Sequence, residues 1–227
     1  TSRVQGSRTV RDPFPGNIIP GMRFDAVARN LAPMYPAPNQ LTATLPGADE
    51  FSANSARKFV RDHLTAKVDQ RLGDDDRLSI RYIHDVNDQK TRSIFPVAAA
   101  DNQTDSLSGQ HNAFGNWSRE FSPSLVNVLR LTYSRRTYHQ VSKGIGEDWP
   151  AKLGLSGVPQ RAFPRFQASG YTALGSPNQE RRQFPVEQWQ LLDVVRWRRG
   201  PHDFRFGFEV RPSRNVEANL QAVSGVF

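Results

Sequence analysis

Residues 61–85 have the sequence RDHLTAKVDQRLGDDDRLSIRYIHD, in which two alternating segments flank a turn. Leu64 and Val68 fall on one face of an extended chain, because side chains alternate between the two sides of a strand. The turn Gly-Asp-Asp-Asp follows at 73–76, and residues 78–82 alternate in the same way on the return. The stretch therefore predicts an antiparallel β-hairpin.

Two later stretches repeat this arrangement. Residues 118–138 alternate on both sides of a Ser-Pro-Ser turn, and residues 188–211 alternate on both sides of an Arg-Arg-Gly-Pro-His connection. The stretches between the pairs, near 86–106 and 139–187, are long, polar and without regular alternation. Residues 57–227 therefore predict an all-β fold with about six antiparallel strands, short turns on one side and long loops on the other.

An irregular segment precedes the strands. Residues 1–56 are rich in Pro, Asn and Gly, and proline holds its own backbone and its predecessor in extended or turn conformations. We expect this segment to be ordered loop with one short helix over Ala26–Ala32. Asp25 is its expected N-cap and Pro33 ends it.

The composition narrows the class of protein. The hydrophobic fraction is 37% and the mean hydropathy is −0.61, with no run of about 18 apolar residues for a membrane-spanning helix. A transmembrane β-barrel is compatible with both values, because only alternate residues face lipid. A soluble β-sandwich would alternate in the same way, and the asymmetry of turns and loops favours the barrel. Thr1 begins no export signal, so we expect a fragment or a processed form.

The charge also raises a nucleic-acid interpretation. The formal net charge is +8, from 30 Lys and Arg against 22 acidic residues, and 25 of the cations are arginine. They are scattered through strands, turns and loops without a sustained basic tract, whereas nucleic-acid binding needs a concentrated footprint. We therefore expect no nucleic-acid partner.

No constellation of residues indicates catalysis. The five histidines show no metal-binding spacing, and Gly144-Ile-Gly146 lacks the third glycine of a dinucleotide loop. The aspartates at 74–76 lack the spaced ligands of a calcium loop, which favours a solvated turn. There is no cysteine, so disulfides and thiolate ligands are excluded. We expect no enzyme, no catalytic residue, no metal and no cofactor.

Four blocks of sequence carry a resemblance to a known family. They are GSRTVRDPFPGNIIP (6–20) with YPAPN (35–39), RDHLTAKVD (61–69) with LSIRY (78–82), SPSLVN (122–127) with LTYSR (131–135), and LDVVRWRRG (192–200) with FGFE (206–209). In this order they resemble part of a TonB-dependent outer-membrane receptor of the Oar-like subgroup. Val128 stands where such proteins often have glutamate, and Arg205 stands where lysine is familiar.

The resemblance implies a partial transmembrane β-barrel in the cell outer membrane. The parent would be filled by a plug and driven by a TonB-type energy-coupling complex, with outer-membrane lipid around it. It would take up or bind an unidentified bulky ligand at the long-loop side. The plug and the remaining barrel are outside this chain. The alternative from another class is a secreted or surface-exposed β-rich binding module.

Parity along the strands predicts which side chains face the lumen. The candidates share the polar side of the alternating segments and are Thr65, Lys67, Asp69, Ser79, Arg81, Arg130 and Thr132. Asp193 lies in a segment whose outer face the pattern does not assign; we expect it to face the lumen or to sit near an interface, since an aspartate facing lipid at the midplane is unfavourable. Five aromatic residues are expected near the membrane interfaces, namely Tyr82, Trp117, Tyr133, Trp189 and Trp197.

Overall fold

Long antiparallel strands dominate the computed structural model, which describes residues 2–6, 8–11, 13–40, 50–159, 161–175 and 180–227. The strands are β1 (Ser2–Gln5), β2 (Arg8–Arg11), β3 (Arg57–Arg71), β4 (Asp76–Thr91), β5 (Thr104–Ser122), β6 (Leu125–Ser142), β7 (Arg181–Gln183), β8 (Val186–Arg199), β9 (His202–Val210), β10 (Ser213–Asn215) and β11 (Ala218–Leu220). The α-helices are α1 (Ala26–Leu31) and α2 (Trp149–Leu153), and single 3-10 turns occur at Pro15–Asn17, Gly21–Arg23, Ala32–Met34 and Ala98–Ala100. None of the helices in the described part of the chain has the length and apolar character needed to cross a bilayer.

Nine of the strands form one antiparallel sheet, and β1 and β2 form a separate hairpin. In the sheet β3, β4, β5, β6 and β8 are successive neighbours. Strands β7 and β8 lie end to end along β6, interrupted at Pro185, which has no N–H to donate to the ladder. Strands β9, β10 and β11 lie end to end along β8 and β7. The sheet thus has six long runs, and the predicted all-β fold of about six antiparallel strands is confirmed.

The sheet is open at both edges. Within the described residues β3 pairs only with β4, and the run β9 to β11 pairs only with β8 and β7. In hydrocarbon the unpaired amides of such edges would have no hydrogen-bonding partner, so a membrane sheet must close on further strands. The described strands therefore form an open sheet and not a closed barrel.

Turns and loops separate to opposite ends of the sheet. The connections at 72–75, 123–124 and 200–201 are short, whereas residues 92–103 and 143–180 form the long connections at the other end.

Both long connections are shorter than the loops predicted near 86–106 and 139–187. Residues 86–91 and 104–106 belong to β4 and β5, and residues 139–142 extend β6. These extensions are mostly polar on both faces, so their sequence shows no alternation. They are strands because backbone hydrogen bonds to the neighbouring strand continue through them. Residues 160 and 176–179 of the second loop, and 41–49 of the predicted segment 1–56, lie outside the described residues.

The well-packed interior lies in the loops. Ala99, Ala100, Leu153, Phe163 and Leu174 are almost completely buried and form one hydrophobic cluster. We call this unit the loop cap, and it comprises residues 92–103, 143–159 and 161–175 with 26–35 and 222–227 packed against them.

Three contacts attach the outlying segments to the loop cap. The side-chain amide of Asn30 donates to the Leu153 carbonyl at 3.1 Å, and the phenol of Tyr35 donates to the Thr172 carbonyl at 3.0 Å. The backbone N–H of Gln167 donates to the backbone carbonyl of Phe227 at 2.8 Å. The long connections therefore fold together as one body.

Helix α1 agrees closely with the sequence prediction. The Asp25 carboxylate accepts from the amides of Val27 at 2.8 Å and Ala28 at 3.3 Å, as an N-cap does. The helix ends at Leu31, one residue before the predicted end, and a 3-10 turn containing Pro33 follows. A helix this short is marginal alone, and Leu31 stabilises it by packing against the loop cap.

Candidate functional site

The pairing register divides the side chains of the sheet into two faces, because directly paired residues point to the same side. One row across five strands contains Lys67, Arg81, Phe114, Thr132 and Gln190. We call the face that carries this row the polar face. The opposite face, which carries the intervening residues of each strand, is the apolar face.

The apolar face carries large hydrophobic side chains that the chain itself does not cover. The exposed fraction is 57% for Leu64, 62% for Val68 and 56% for Phe206. Further exposed members are Ile80, Leu131, Phe208 and Val210. Soluble monomers rarely expose an apolar area this continuous, so this face requires an apolar environment.

Aromatic residues mark two levels on the apolar face. Tyr82, Tyr133 and Trp189 lie in one row that is farther from the turns than Trp197, with the Tyr133 and Trp189 rings 4.5 Å apart. Trp197 lies nearer to the turns and stacks on Phe204 at 5.5 Å. The eight residue-to-residue steps from Trp189 to Trp197 span about 26 Å along the strand, or roughly 20 Å along the membrane normal at a tilt of about 40°.

Trp117 is the fifth aromatic residue predicted at an interface. It also lies on the apolar face, and its indole N–H donates to Asp76 Oδ1 at 3.0 Å, beside the first turn. An indole with an apolar body and a bonded polar tip suits a membrane boundary. All five predicted aromatic residues therefore occupy the face that needs an apolar environment.

The register places all seven predicted site residues on the polar face. The set is Thr65, Lys67, Asp69, Ser79, Arg81, Arg130 and Thr132. Five of them come together around two residues of β5, Phe114 and Asn116, which the sequence did not single out because the alternation of β5 is weak. The alternation in β4 and β6 identifies the polar face of those strands. Pairing β5 between them would have placed Phe114 and Asn116 on the same face.

Specific contacts organise this group. The Lys67 ammonium is 2.7 Å from Asp69 Oδ2, and the Arg130 Nε donates to Asn116 Oδ1 at 3.1 Å. Ser79, Arg81, Phe114 and Asn116 line an open cleft of about 230 Å³.

The other two predicted residues do not line the cleft. Thr65 Oγ1 lies 2.9 Å from His63 Nε2, in a separate row toward the loops. Thr132 belongs to the row of Arg81 and follows Phe114 on the next strand.

The polar face is not uniformly polar. Four aliphatic residues lie on it near the turns of β6 and β8, namely Val126, Val128, Leu192 and Val194. They lie between the cleft and the last hairpin. The sequence did not assign them, because their segment is apolar on both faces.

Asp193 lies on the apolar face and away from both aromatic levels, so the prediction that it faces the lumen or sits near an interface is wrong. It pairs with Leu129 on one side and Phe208 on the other, midway along β8 between Trp189 and Trp197. The register of β8 decides this orientation. The carboxylate is satisfied sideways, since the Asn127 amide donates to Asp193 Oδ1 at 2.6 Å.

The histidines form no site with metal-binding spacing. His84 and His111 stack at 4.3 Å on the apolar face, and the Tyr82 hydroxyl lies 2.7 Å from His111 Nδ1. Among the described residues no group of three or more His, Asp or Glu side chains could hold a metal ion.

One buried acid lies where the loop cap meets the sheet. Glu180 is 3% exposed, and its Oε1 accepts from the Val223 amide at 3.2 Å while Oε2 has no partner among the described residues. Burial raises the pKa of the Glu180 carboxyl above the ordinary glutamate range, and backbone amides including Val223 offset part of that rise. The acid therefore links residues 222–223 to the strand end.

A family model described as an outer membrane beta barrel domain matches residues 1–227. The chain belongs to this family. No curated protein matches the chain. Outer-membrane barrels have an apolar outer band between aromatic girdles and a polar interior, and the two faces of this barrel section have those two characters. The protein is therefore located in the outer membrane.

Proposed function

We propose that this barrel section belongs to a TonB-dependent receptor of the Oar-like subgroup, which binds or imports a bulky ligand. In this proposal the apolar face contacts outer-membrane lipid and the polar face lines the interior. A plug outside this chain couples the barrel to a TonB-type energy-coupling complex of the inner membrane. We propose no enzymatic activity and no nucleic-acid partner.

The loop cap is the observation that carries this proposal. A pore for small solutes needs no built body at one end, whereas this barrel section packs two long connections and a preceding helix around Phe163 and Leu153. Folded loops on a rigid scaffold are where binding proteins place their ligand contacts. The four sequence blocks that resemble the TonB-dependent family support the same assignment.

The outer surface of the loop cap supports ligand binding. Tyr171 is 71% exposed, and its ring lies 6.1 Å from that of Tyr35. Phe227 is about half exposed and stacks on Phe166 at 5.5 Å. Aromatic residues fixed by packing offer contact area at a low cost in side-chain entropy.

A second candidate function, a secreted or surface-exposed β-rich binding module, uses the same loops. The exposed apolar face argues against it, because Leu64, Val68 and Phe206 would stand in water without a cover. Recovery of the complete protein from the medium in soluble, monodisperse form would favour this second candidate.

Binding to the energy-coupling complex tests the proposed function. The complete protein that carries this chain is purified from outer membranes, immobilised, and exposed to the periplasmic domain of TonB. We expect saturable binding to the complete protein and none to a plug-free porin on a parallel surface. Absence of saturable binding to the complete protein would reject the TonB-dependent assignment and leave the outer-membrane barrel unchanged.

A further inference from the structure

The charge of this barrel section is distributed unequally between its two faces. In strands β3 to β6, β8 and β9, the register assigns eleven Lys and Arg side chains but only five carboxylates to the polar face. The apolar face of the same strands carries five cations and six carboxylates. The positive charge of the chain is therefore concentrated on the face that we propose to line the interior.

Three cross-strand pairs on the polar face place like charges directly opposite each other. They are Lys67 with Arg81, Arg71 with Arg77, and Arg196 with Arg205. Opposed residues have Cβ atoms about 4.5–5.5 Å apart, and like charges in this position are destabilising. All three pairs lie in the half of the sheet nearer to the turns.

One comparable pair exists on the apolar face. Lys58 lies opposite Lys90 at the loop end, and the Lys90 ammonium is 3.6 Å from Asp88. This pair lies at the loop end of the strands, outside the apolar band. The concentration of paired cations is thus a property of the polar face near the turns.

The carboxylates of the polar face pair with only some of these cations. Asp69 pairs with Lys67, Asp85 with Arg61, and Glu120 lies 3.7 Å from Arg77. Four guanidinium groups of the opposed pairs have no carboxylate of a described residue within ion-pair distance, namely Arg71, Arg81, Arg196 and Arg205, and Asp69 also acts electrostatically on Arg81. The polar face near the turns therefore keeps a net positive charge.

The cleft beside Arg81 has the groups that an oxyanion needs. Ser79, Arg81, Asn116 and Phe114 line it, and the Ser79 side chain also hydrogen-bonds to the neighbouring Asp69 carboxylate. Guanidinium groups bind phosphate and carboxylate through paired N–H donors, and arginine provides this geometry where lysine gives only a point charge.

We propose that the turn half of the polar face binds a soluble solute that carries a phosphate or carboxylate group. Lys67 and Arg81 form its first site at the cleft, and the pairs Arg71–Arg77 and Arg196–Arg205 continue the path toward the turns. This inference rests on the proposed function in one respect, that the polar face lines the barrel interior. It names the chemical class of the ligand that the interior accepts.

The absence of cysteine from the chain allows a direct test. Ser118 and Ser106 lie on the same strand and the same polar face, but Ser118 is opposite Arg77 whereas Ser106 is opposite Gln89. Single Ser118→Cys and Ser106→Cys variants of the complete protein are prepared, with any cysteine outside this chain replaced by serine. Each is treated in isolated outer membranes with an anionic sulfonatoethyl or a cationic trimethylammonioethyl methanethiosulfonate reagent.

We expect the Ser118→Cys thiol to react at least about tenfold faster with the anionic reagent, relative to a free thiol, since a cationic cleft concentrates anions. The Ser106→Cys thiol is expected to show little preference. Adding Arg71→Gln and Arg77→Gln lowers the preference at Ser118→Cys, and inorganic pyrophosphate slows modification there but not at Ser106→Cys.

Two results would overturn the inference. Equal or cation-preferring rates at Ser118→Cys would show that an acidic surface, such as that of a plug, already neutralises the arginines. Resistance to both reagents would show that solutes do not reach this stretch. Because the membranes contain no energy-coupling complex, the outcome is independent of the TonB-binding test.

Discussion

The Asn127 side-chain amide donates to the Asp193 carboxylate across 2.6 Å on the apolar face of the sheet. The two residues belong to β6 and β8 and are diagonal neighbours, since Asn127 pairs with Val195. A carboxylate in an apolar environment is costly unless it is hydrogen-bonded. The pair therefore allows an acid in the middle of the apolar face.

Removing the donor is expected to be worse than removing both partners. Asn127→Leu leaves Asp193 unsatisfied and should lower the free energy of unfolding by about 1–3 kcal/mol. The double variant Asn127→Leu with Asp193→Leu should recover most of this loss, because no buried polar group then remains. Denaturant unfolding of the complete protein in detergent micelles measures both, and equal losses in the single and double variants would contradict the pairing.

Adjacent residues on opposite faces provide a test of which face meets lipid. Leu131 lies on the apolar face and Thr132 on the polar face. Leu131→Arg should reduce stability by about 1–3 kcal/mol, because Leu131 lies between the midplane and the aromatic row of Tyr133 and the cost of arginine falls from the midplane to the interface, whereas Thr132→Arg faces the interior. Folded yield in outer membranes, read by heat-dependent electrophoretic mobility, compares the two. A greater loss for Thr132→Arg would reverse the assignment of the faces.

The loop cap depends on one glycine. Gly175 has a φ of +92°, and a Cβ there would lie 2.1 Å from the Pro164 carbonyl oxygen. Gly175→Ala should therefore loosen the loop cap by more than the ~1–3 kcal/mol that left-handed strain alone costs. The matched control is Gly170→Ala, with a φ of +82° and no atom within 4 Å of the added Cβ.

Limited proteolysis of the complete protein in intact outer membranes measures this difference. Cleavage within residues 143–175 should accelerate strongly for Gly175→Ala and only slightly for Gly170→Ala. Similar cleavage rates in the two variants would show that the Pro164 contact does not hold the loop cap together.

The sequence predicted the parts of this barrel section in which polarity and geometry repeat together. Alternation at Leu64 and Val68 assigned the side chains of the first hairpin to the correct faces of the sheet, and Asp25 identified the start of α1. The strand extensions near Thr91 were not predictable, because polar residues on both faces carry no period.

The orientation of the Asp193 side chain could be assigned only from the pairing register of three strands, β6, β8 and β9. Both faces of its own strand carry polar as well as apolar residues. Only the paired neighbours Leu129 and Phe208 therefore show which face Asp193 occupies. The loop cap also exceeded what sequence patterns indicate. It joins segments that are far apart in the chain, such as Asn30 and Leu153, through contacts without local periodicity.

Protonation of Glu180 should make the loop cap sensitive to pH. Because burial raises its pKa in the folded state, the folded protein binds the proton more tightly than the unfolded chain. The stabilisation is complete below the ordinary glutamate pKa of about 4.3 and is lost as pH rises through the folded pKa. Glu180→Gln keeps an oxygen that accepts from the Val223 amide and carries no charge at any pH. The variant should therefore not lose stability as pH rises.

Hydrogen exchange of the amides at 222–225, followed from pH 4 to pH 8 after correction for intrinsic rates, measures the effect. In the native protein, protection should fall as pH rises, by about 1.4 kcal/mol for each unit of difference between the folded and unfolded pKa of Glu180. In Glu180→Gln, protection should not change with pH. Glu147→Gln is the matched control, because Glu147 is an exposed acid of the same loop cap that pairs with Lys152. It should retain the native pH dependence, and a level profile in the native protein would show that Glu180 does not control this segment.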